Sequence, residues 1–297
     1  MIRDGQFAEV QPGVRLHYAS CGDPAKPLLS LLHGFPEYWG AWRGLMPAFA
    51  DDHHVVAPDQ RGYNLSDKPA DVRDYRAPLL VGALVGLIRA LGHERCVLVG
   101  HDWGGAVAWA FAIAHPEMVE RLVILNAPHP VPFARALAGD PAQQQASRYM
   151  NWLRRPGSED RLAENGFDRL ERLLHNPDGA DWFDEDTRAG YHAAWGQPGA
   201  LAGNVAWYRA SPLYPPTDAE PGAAAVTLDP AQFIVKVPTL VLWGERDIAL
   251  LPGLLDGLEA LVPTMRLVRI PDASHWLVHE QPQRVIEEIR SFVADGA

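Results

Sequence analysis

Short apolar runs punctuate the first half of the chain. Leu28–Leu32, His54–Ala57, Cys96–Val99 and Leu122–Leu125 each stop at turn-forming residues: His33-Gly34, Pro58-Asp59, Gly100 and Asn126. Runs that stay apolar without alternating suit strands covered on both faces, as in a parallel sheet. Between them, Tyr75–Leu91 and Gly105–His115 are compatible with helices. This alternation predicts βαβ units and a doubly wound α/β fold. From about Pro130 to Pro221 the pattern changes. No strand is evident, and Trp, Tyr, Arg and Leu recur at helical spacings with Pro and Gly between them. Strand character returns at Thr239–Trp243 and Arg266–Ile270, and the last helix is expected over Pro282–Ala294. The predicted organisation is a core of residues 1–129 and 222–297, with a helical lid, 130–221, inserted in it. Insertions after a sheet strand tend to cover the site at the strands' C-terminal ends.

Composition narrows the function classes. A chain of 297 residues buries enough surface to fold without metals or disulfides. The net charge of -11 argues against nucleic acid, whose phosphates need a basic face. Cys21 and Cys96 make no disulfide framework, which points to a reducing compartment. The first residues have no apolar h-region, and no apolar run is long enough to span a bilayer. The expectation is a cytoplasmic monomer or homodimer with no membrane or nucleic-acid partner.

The candidate chemistry begins at Val97-Leu98-Val99-Gly100-His101-Asp102-Trp103-Gly104-Gly105. It reads strand, sharp turn, helix, with glycines two residues either side of Asp102. A nucleophile elbow has this form, with glycines that tolerate strained dihedrals and close helix–strand packing. Alone, the motif also suits an Asp N-cap between turn glycines. A carboxylate nucleophile suggests displacement at saturated carbon. It forms an ester, which water can cleave, where a serine would form an inert ether. Cleavage needs a general base. Of the 12 histidines, His275 lies after the last strand-like run and before the last helix, where this arrangement places its base. His101 adjoins Asp102, but its side chain is expected to point away into strand–helix packing, and His33 reads as a turn residue. Asp247, in Trp243-Gly244-Glu245-Arg246-Asp247, is the acid expected to orient His275. Glu245 reads as a turn or salt-bridge residue. The backbone N–H groups of Phe35, in His33-Gly34-Phe35-Pro36, and of Trp103 are the expected oxyanion donors. Phe35-Pro36 is a candidate cis peptide.

At these motifs, with Asp59-Gln60-Arg61-Gly62-Tyr63 and Ser274-His275-Trp276, the chain resembles the α/β-hydrolase fold epoxide hydrolases, close relatives of the haloalkane and haloacetate dehalogenases. The resemblance covers nearly the whole chain. It implies the α/β-hydrolase fold, no cofactor or metal, and a small hydrophobic epoxide opened by water to a vicinal diol. It also implies two lid tyrosines that stabilise and protonate the epoxide oxygen. Tyr149, before Pro156-Gly157, and Tyr208, in Trp207-Tyr208-Arg209, take those positions, although Asn204 is displaced from the family's Asn-Trp-Tyr-Arg pattern. Some relatives carry the acid after the strand that follows the nucleophile helix. Here that position is Asn126, which leaves the role to Asp247.

The alternative is a hydrolytic dehalogenase with the same triad. Haloalkane dehalogenases often have Asn or Trp where Phe35 stands, and haloacetate dehalogenases usually place Arg where Trp103 stands. Arg135, Arg148 and Arg209 in the lid remain as cations for a haloacetate. A ligand-binding, non-catalytic member of the fold is disfavoured by the intact Asp102, Asp247 and His275 set. The lid pocket is expected to be aromatic. Phe35, Trp103, Trp152, Trp207 and Trp276 are the expected lining, with Trp182 and Trp195 nearby.

Overall fold

In a computed structural model that describes residues 1–174 and 182–294, the chain opens with two strands that the apolar runs do not announce. These are β1 (Arg3–Gln11) and β2 (Val14–Cys21), an antiparallel hairpin at the edge of the sheet. β1 is mostly exposed, so its sequence carries no apolar run. The available signal is Pro12-Gly13, with φ +73° at Gly13, a proline-glycine turn between the strands. The other strands are β3 (Leu28–Leu32), β4 (His54–Pro58), β5 (Cys96–His101), β6 (Val119–Leu125), β7 (Thr239–Gly244) and β8 (Met265–Ile270). Their order is β1-β2-β4-β3-β5-β6-β7-β8, and pairing is parallel from β4 through β8.

Both faces of the sheet are covered, which is why its inner strands are continuously apolar. Along β5, Val97 and Val99 join one buried cluster and Leu98 the other. α1 (Ala77–Ala90) and α2 (Trp103–Ala114) pack Leu84, Leu87, Ala108 and Phe111 on Leu98's side. Between β6 and β7 come α3 (Pro130–Gly139), α4 (Pro141–Ala146), α5 (Arg148–Leu153), α6 (Ser158–Leu174), α7 (Glu185–Trp195) and α8 (Ala200–Ala210). The described residues of 130–221 include no strand. α6 is broken at Glu164–Phe167, where Asn165 and Phe167 take positive φ. After β8 come α9 (Leu277–Glu280) and α10 (Pro282–Ala294). α10 packs Val285, Ile289 and Phe292 on the side of Val97 and Val99.

The inserted helices are fastened to the sheet's loops. Trp207 donates its indole N–H to the Arg61 carbonyl at 2.9 Å, and Trp195 donates to the Pro36 carbonyl at 2.6 Å. Because β3, β5, β6, β7 and β8 run the same way, the loops after them meet at one edge. Residues 33–36, 102, 126, 247 and 275 all follow those strands. Among the described residues no helix is long and apolar enough to cross a membrane.

Candidate active site

Asp102 sits at φ 50°, ψ −121°, between the end of β5 and the first turn of α2. A non-glycine residue held there costs of order 1–3 kcal/mol, a strain that surrounding structure must impose. The glycines beside it do a different job from the one their flexibility suggests. Neither Gly100 nor Gly104 has positive φ. A Cβ on Gly100 would lie 2.5 Å from the Gly104 carbonyl oxygen, and one on Gly104 would lie 2.2 Å from that of Leu32. They provide room for α2 to approach the strands, while the strain resides in Asp102 itself.

The Asp102 carboxylate is held unevenly. Oδ1 accepts the Phe35 N–H at 2.7 Å, whereas Oδ2 faces His275 Nε2 at 3.7 Å. The Phe35–Pro36 peptide is cis. A Cβ on Gly34 would lie 2.4 Å from Asp102 Oδ1, so glycine is required for the Phe35 loop to come this close. Trp103 opens α2, where backbone N–H groups have no partner within the helix.

His275 Nδ1 lies 2.7 Å from Asp247 Oδ2. Asp247 is buried, and its other oxygen accepts the N–H groups of Ala249 and Leu250, each at 2.8 Å. Burial alone would lower the His275 pKa. Asp247 outweighs it, with help from Asp102 and Glu37, and pushes His275 up to about 9. Burial alone would raise Asp247, but His275, the Leu250 N–H and Asn126 hold it below the usual carboxylate range. Asn126, at φ 37°, donates to Asp247 Oδ2 at 2.7 Å and accepts the Gly244 N–H at 2.7 Å. Asn126, at the end of β6, thus fixes the carboxylate of Asp247 in the loop after the neighbouring β7. Replacing Asn126 with Ala leaves the buried Gly244 N–H without a partner, at about 1–3 kcal/mol, and removes one of the two side-chain bonds to Asp247 Oδ2, at about 1 kcal/mol. Chemical denaturation should show a loss of about 2–4 kcal/mol.

Two cavities meet at Asp102. The larger, about 370 Å³, includes Phe35, Tyr149, Tyr208, His275 and Trp276 in its wall. The smaller, about 90 Å³, includes Trp103, Phe133, Met150 and Leu250. Asp102, Tyr149 and Tyr208 line both. The two tyrosine rings lie 6.1 Å apart, and Tyr208 is wedged edge-on against Phe35 and Trp103, each at 5.2 Å. Burial, followed by the Asp102 charge and Asp247, raises the Tyr149 pKa, and burial with Tyr149 and Asp102 raises that of Tyr208. Both phenols therefore hold their protons.

The sequence pattern of the alpha/beta hydrolase fold family matches residues 27–282. The chain is 37% identical to an AB hydrolase superfamily protein of Bacillus subtilis, over 95% of each chain. It is also 37% identical to epoxide hydrolase 3 of Xenopus tropicalis, over 95% of this chain and 76% of that one. The crystal structure of Bacillus megaterium epoxide hydrolase in complex with an inhibitor superposes with a TM-score of 0.88 at 33% identity, covering 97% of this chain and 100% of the other. This chain belongs to the epoxide hydrolase family of the α/β-hydrolase fold. As a hydrolase of that family, it departs from sequence expectation in several places.

Two expected lining residues lie outside both cavities. Trp207 is turned into the core to reach Arg61, and Trp152 carries the Arg169 guanidinium 5.8 Å from its ring centroid. Helical spacing located these residues in the inserted helices but not the side of the helix that faces the cavity. The three arginines of the inserted segment considered for a haloacetate are also engaged elsewhere: Arg135 with the Asp256 carbonyl, Arg148 with Gln145 and Arg209 with Glu159. Glu245 pairs with Arg269 at 2.7 Å.

The hydrolase also has a buried group behind His275 that sequence reading missed. Glu37 accepts from the Tyr191 hydroxyl and meets His279 Nε2, both at 2.7 Å, and lies 3.1 Å from His101 Nδ1. His101 Nε2 donates to the His275 carbonyl at 2.8 Å. His101 therefore does not fill strand–helix packing; it ties Glu37 to the His275 loop. His279 stacks on Trp182 with ring centroids 3.8 Å apart. Burial alone would raise Glu37, but His279 and His101 hold its carboxyl well below the usual range. An acid directly after His33-Gly34-Phe35-Pro36 was the available signal. Its partners lie 64, 154 and 242 residues away, and nothing local names them.

Proposed function

We propose that the chain hydrolyses epoxides to vicinal diols through an ester on Asp102, with residues 130–221 acting as the lid over the site. The observation that carries this reading is the pair of protonated phenols, Tyr149 and Tyr208, in the same cavity walls as Asp102. An opening epoxide becomes an alkoxide and needs a proton; a departing halide does not.

In this reading Asp102 Oδ2 attacks an epoxide carbon. The C–O bond breaks, its electrons go to oxygen, and a phenol of Tyr149 or Tyr208 supplies the proton. Oδ1, already bound to the Phe35 N–H, becomes the ester carbonyl oxygen. The 3.7 Å between His275 Nε2 and Oδ2 suits a water in transit rather than a direct bond. His275 takes one proton from that water while its oxygen adds to the Asp102 carboxyl carbon. The oxyanion is held by the N–H groups of Phe35 and Trp103. Collapse expels the diol oxygen, which is protonated from His275, and the second water proton restores the tyrosine.

The charge balance makes the base available at the right stage. With Asp102 ionised, His275 is pushed up to about 9 and is protonated at neutral pH. Ester formation removes the Asp102 charge and with it part of that push. Single-turnover fluorescence should therefore show ester breakdown accelerating with pH, with a midpoint below that of the resting enzyme. The same shift affects stability. His275 is raised from its unfolded value near 6.5, so its stabilising contribution is complete below about pH 6.5 and fades as pH rises through about 9. The loss is on the order of 3 kcal/mol, counted once for the His275–Asp247 pair, and His275→Gln should flatten that slope in thermal melts.

The test of the reaction is a single turnover of styrene oxide in 18O-water, with chloroacetate assayed beside it. Label should enter Asp102 while the first diol stays unlabelled. Label in the diol would exclude the ester, and turnover of chloroacetate alone would favour dehalogenation.

A further inference from the structure

We propose that the turn Asp59-Gln60-Arg61-Gly62-Tyr63 sets the distance between acid and nucleophile, with Gln60 positioning the Phe35 loop and Trp207 positioning Tyr208. This deepens the epoxide hydrolase reading and rests on it. The turn follows β4 and lies outside both cavities that meet at Asp102. It nonetheless reaches both sides of the site.

Toward the nucleophile, the contact is His33. The Gln60 backbone N–H donates to His33 Nε2 at 3.0 Å, and the Gln60 side-chain amide donates to the His33 carbonyl. With Nε2 accepting, Nδ1 carries the ring proton and donates to the Gly34 carbonyl at 2.9 Å. His33 is fully buried, and burial lowers its pKa, so the ring is neutral and keeps that tautomer. The ring also lies edge-on to Tyr63, with centroids 4.8 Å apart. The next peptide along the chain carries the Phe35 N–H that holds Asp102 Oδ1.

Toward the acid, the contact is α8. Gly203 packs so closely on Gly62 that a Cβ on it would lie 2.3 Å from the Gly62 carbonyl oxygen. One helical turn further on, Trp207 donates to the Arg61 carbonyl at 2.9 Å and sets its ring edge-on to Tyr63 at 5.6 Å. Tyr208 is the next residue, so the Trp207 bond fixes the rotation of α8 and with it the place of the phenol. The turn itself is stiff. Asp59 is fully buried, and its carboxylate accepts the Trp39 N–H at 2.9 Å and the Asn64 amide at 2.8 Å and meets His17 at 2.6 Å. Arg61 is buried too, and donates to the Asp74 carbonyl at 2.7 Å and to Gln11. Buried polar groups with fixed partners resist displacement, since each would lose its bond with no water to replace it.

The two contacts predict different kinetics. The Phe35 N–H acts in both steps, on the attacking carboxylate and then on the ester oxyanion, whereas the Tyr208 phenol acts only when an epoxide oxygen needs a proton. Ester formation is read as adduct mass on Asp102 in the His275→Gln background, with styrene oxide and with phenacyl bromide, whose bromide leaves without a proton. Ester breakdown is read by single turnover of styrene oxide with His275 intact. Trp207→Phe should slow alkylation by styrene oxide about ten-fold, and change alkylation by the bromide and ester breakdown by less than about two-fold. Gly203→Ala, which pushes α8 off Gly62, should do the same. Gln60→Met should slow all of these steps about ten-fold, because it loosens the Phe35 N–H. His33→Gln, which keeps an acceptor for the Gln60 N–H, should lose less than His33→Leu. Trp207→Phe slowing the bromide as much as the epoxide, or Gln60→Met leaving every rate unchanged, overturns the proposal. If neither reagent adds to Asp102, the epoxide reading fails, and amide exchange still decides the positioning. The Phe35 N–H should exchange about ten-fold faster in Gln60→Met and at the parent rate in Trp207→Phe, while the α8 amides quicken only in the latter. Equal exchange in the two variants overturns the positioning.

Discussion

His275→Gln, mixed with an epoxide, is expected to stop at the ester. Intact mass should rise by the mass of one substrate, and the added mass should map to the peptide holding Asp102. Gln keeps a polar side chain near Asp247 but cannot take a proton from water. General-base catalysis is worth about two to four orders of magnitude, and turnover should fall by at least that much while the first, alkylating step survives. The survival follows from the geometry. Asp102 Oδ1 is held by the Phe35 N–H and not by His275, whose Nε2 stands 3.7 Å from Oδ2. The Asp102→Asn protein should give no adduct at all. A His275→Gln protein that turned over normally, or one that never acquired mass with any epoxide, would falsify the division of labour between Asp102 and His275.

The second large effect concerns Tyr149 and Tyr208. Each phenol lines both cavities with Asp102, and burial keeps each protonated. Loss of one should slow alkylation about ten- to a hundred-fold, because the other can still donate. Tyr149→Phe/Tyr208→Phe together should cost about three to four orders of magnitude, the upper range for general acid catalysis. Ester breakdown should change little, so the double variant should accumulate no intermediate, the opposite of His275→Gln. Rapid-quench measurement of the ester distinguishes the two. Unchanged alkylation by Tyr208→Phe would sink the assignment of that side chain.

How much of this was legible in the chain depends on how local each signal is. The inner strands could be read because both sheet faces are covered, so every position in them is apolar. The edge hairpin could not, because β1 is largely exposed and buries little. Asp102, Asp247 and His275 could be found because each follows a strand within a few residues, and a parallel sheet gathers all such loops at one edge. Their role as a set remains a proposal that rests on the distances between them. Trp152 and Trp207 show the limit of helical spacing: it placed them in the inserted segment without giving the rotation of their helices against the cavity.

The chain by itself therefore determined the fold class and the family, and suggested the reacting residue types, since these are written in runs and motifs a few residues long. The tertiary structure decided what lies far apart in sequence. It set Asn126 under Asp247, gathered His101, Tyr191 and His279 around Glu37, and turned the three arginines of the inserted segment toward other partners. It also placed the strain at Asp102 rather than at Gly100 or Gly104. The physical reason is the same in each case. A buried polar group must find its partner wherever the packed chain brings one, and local sequence carries the need for that partner without naming it.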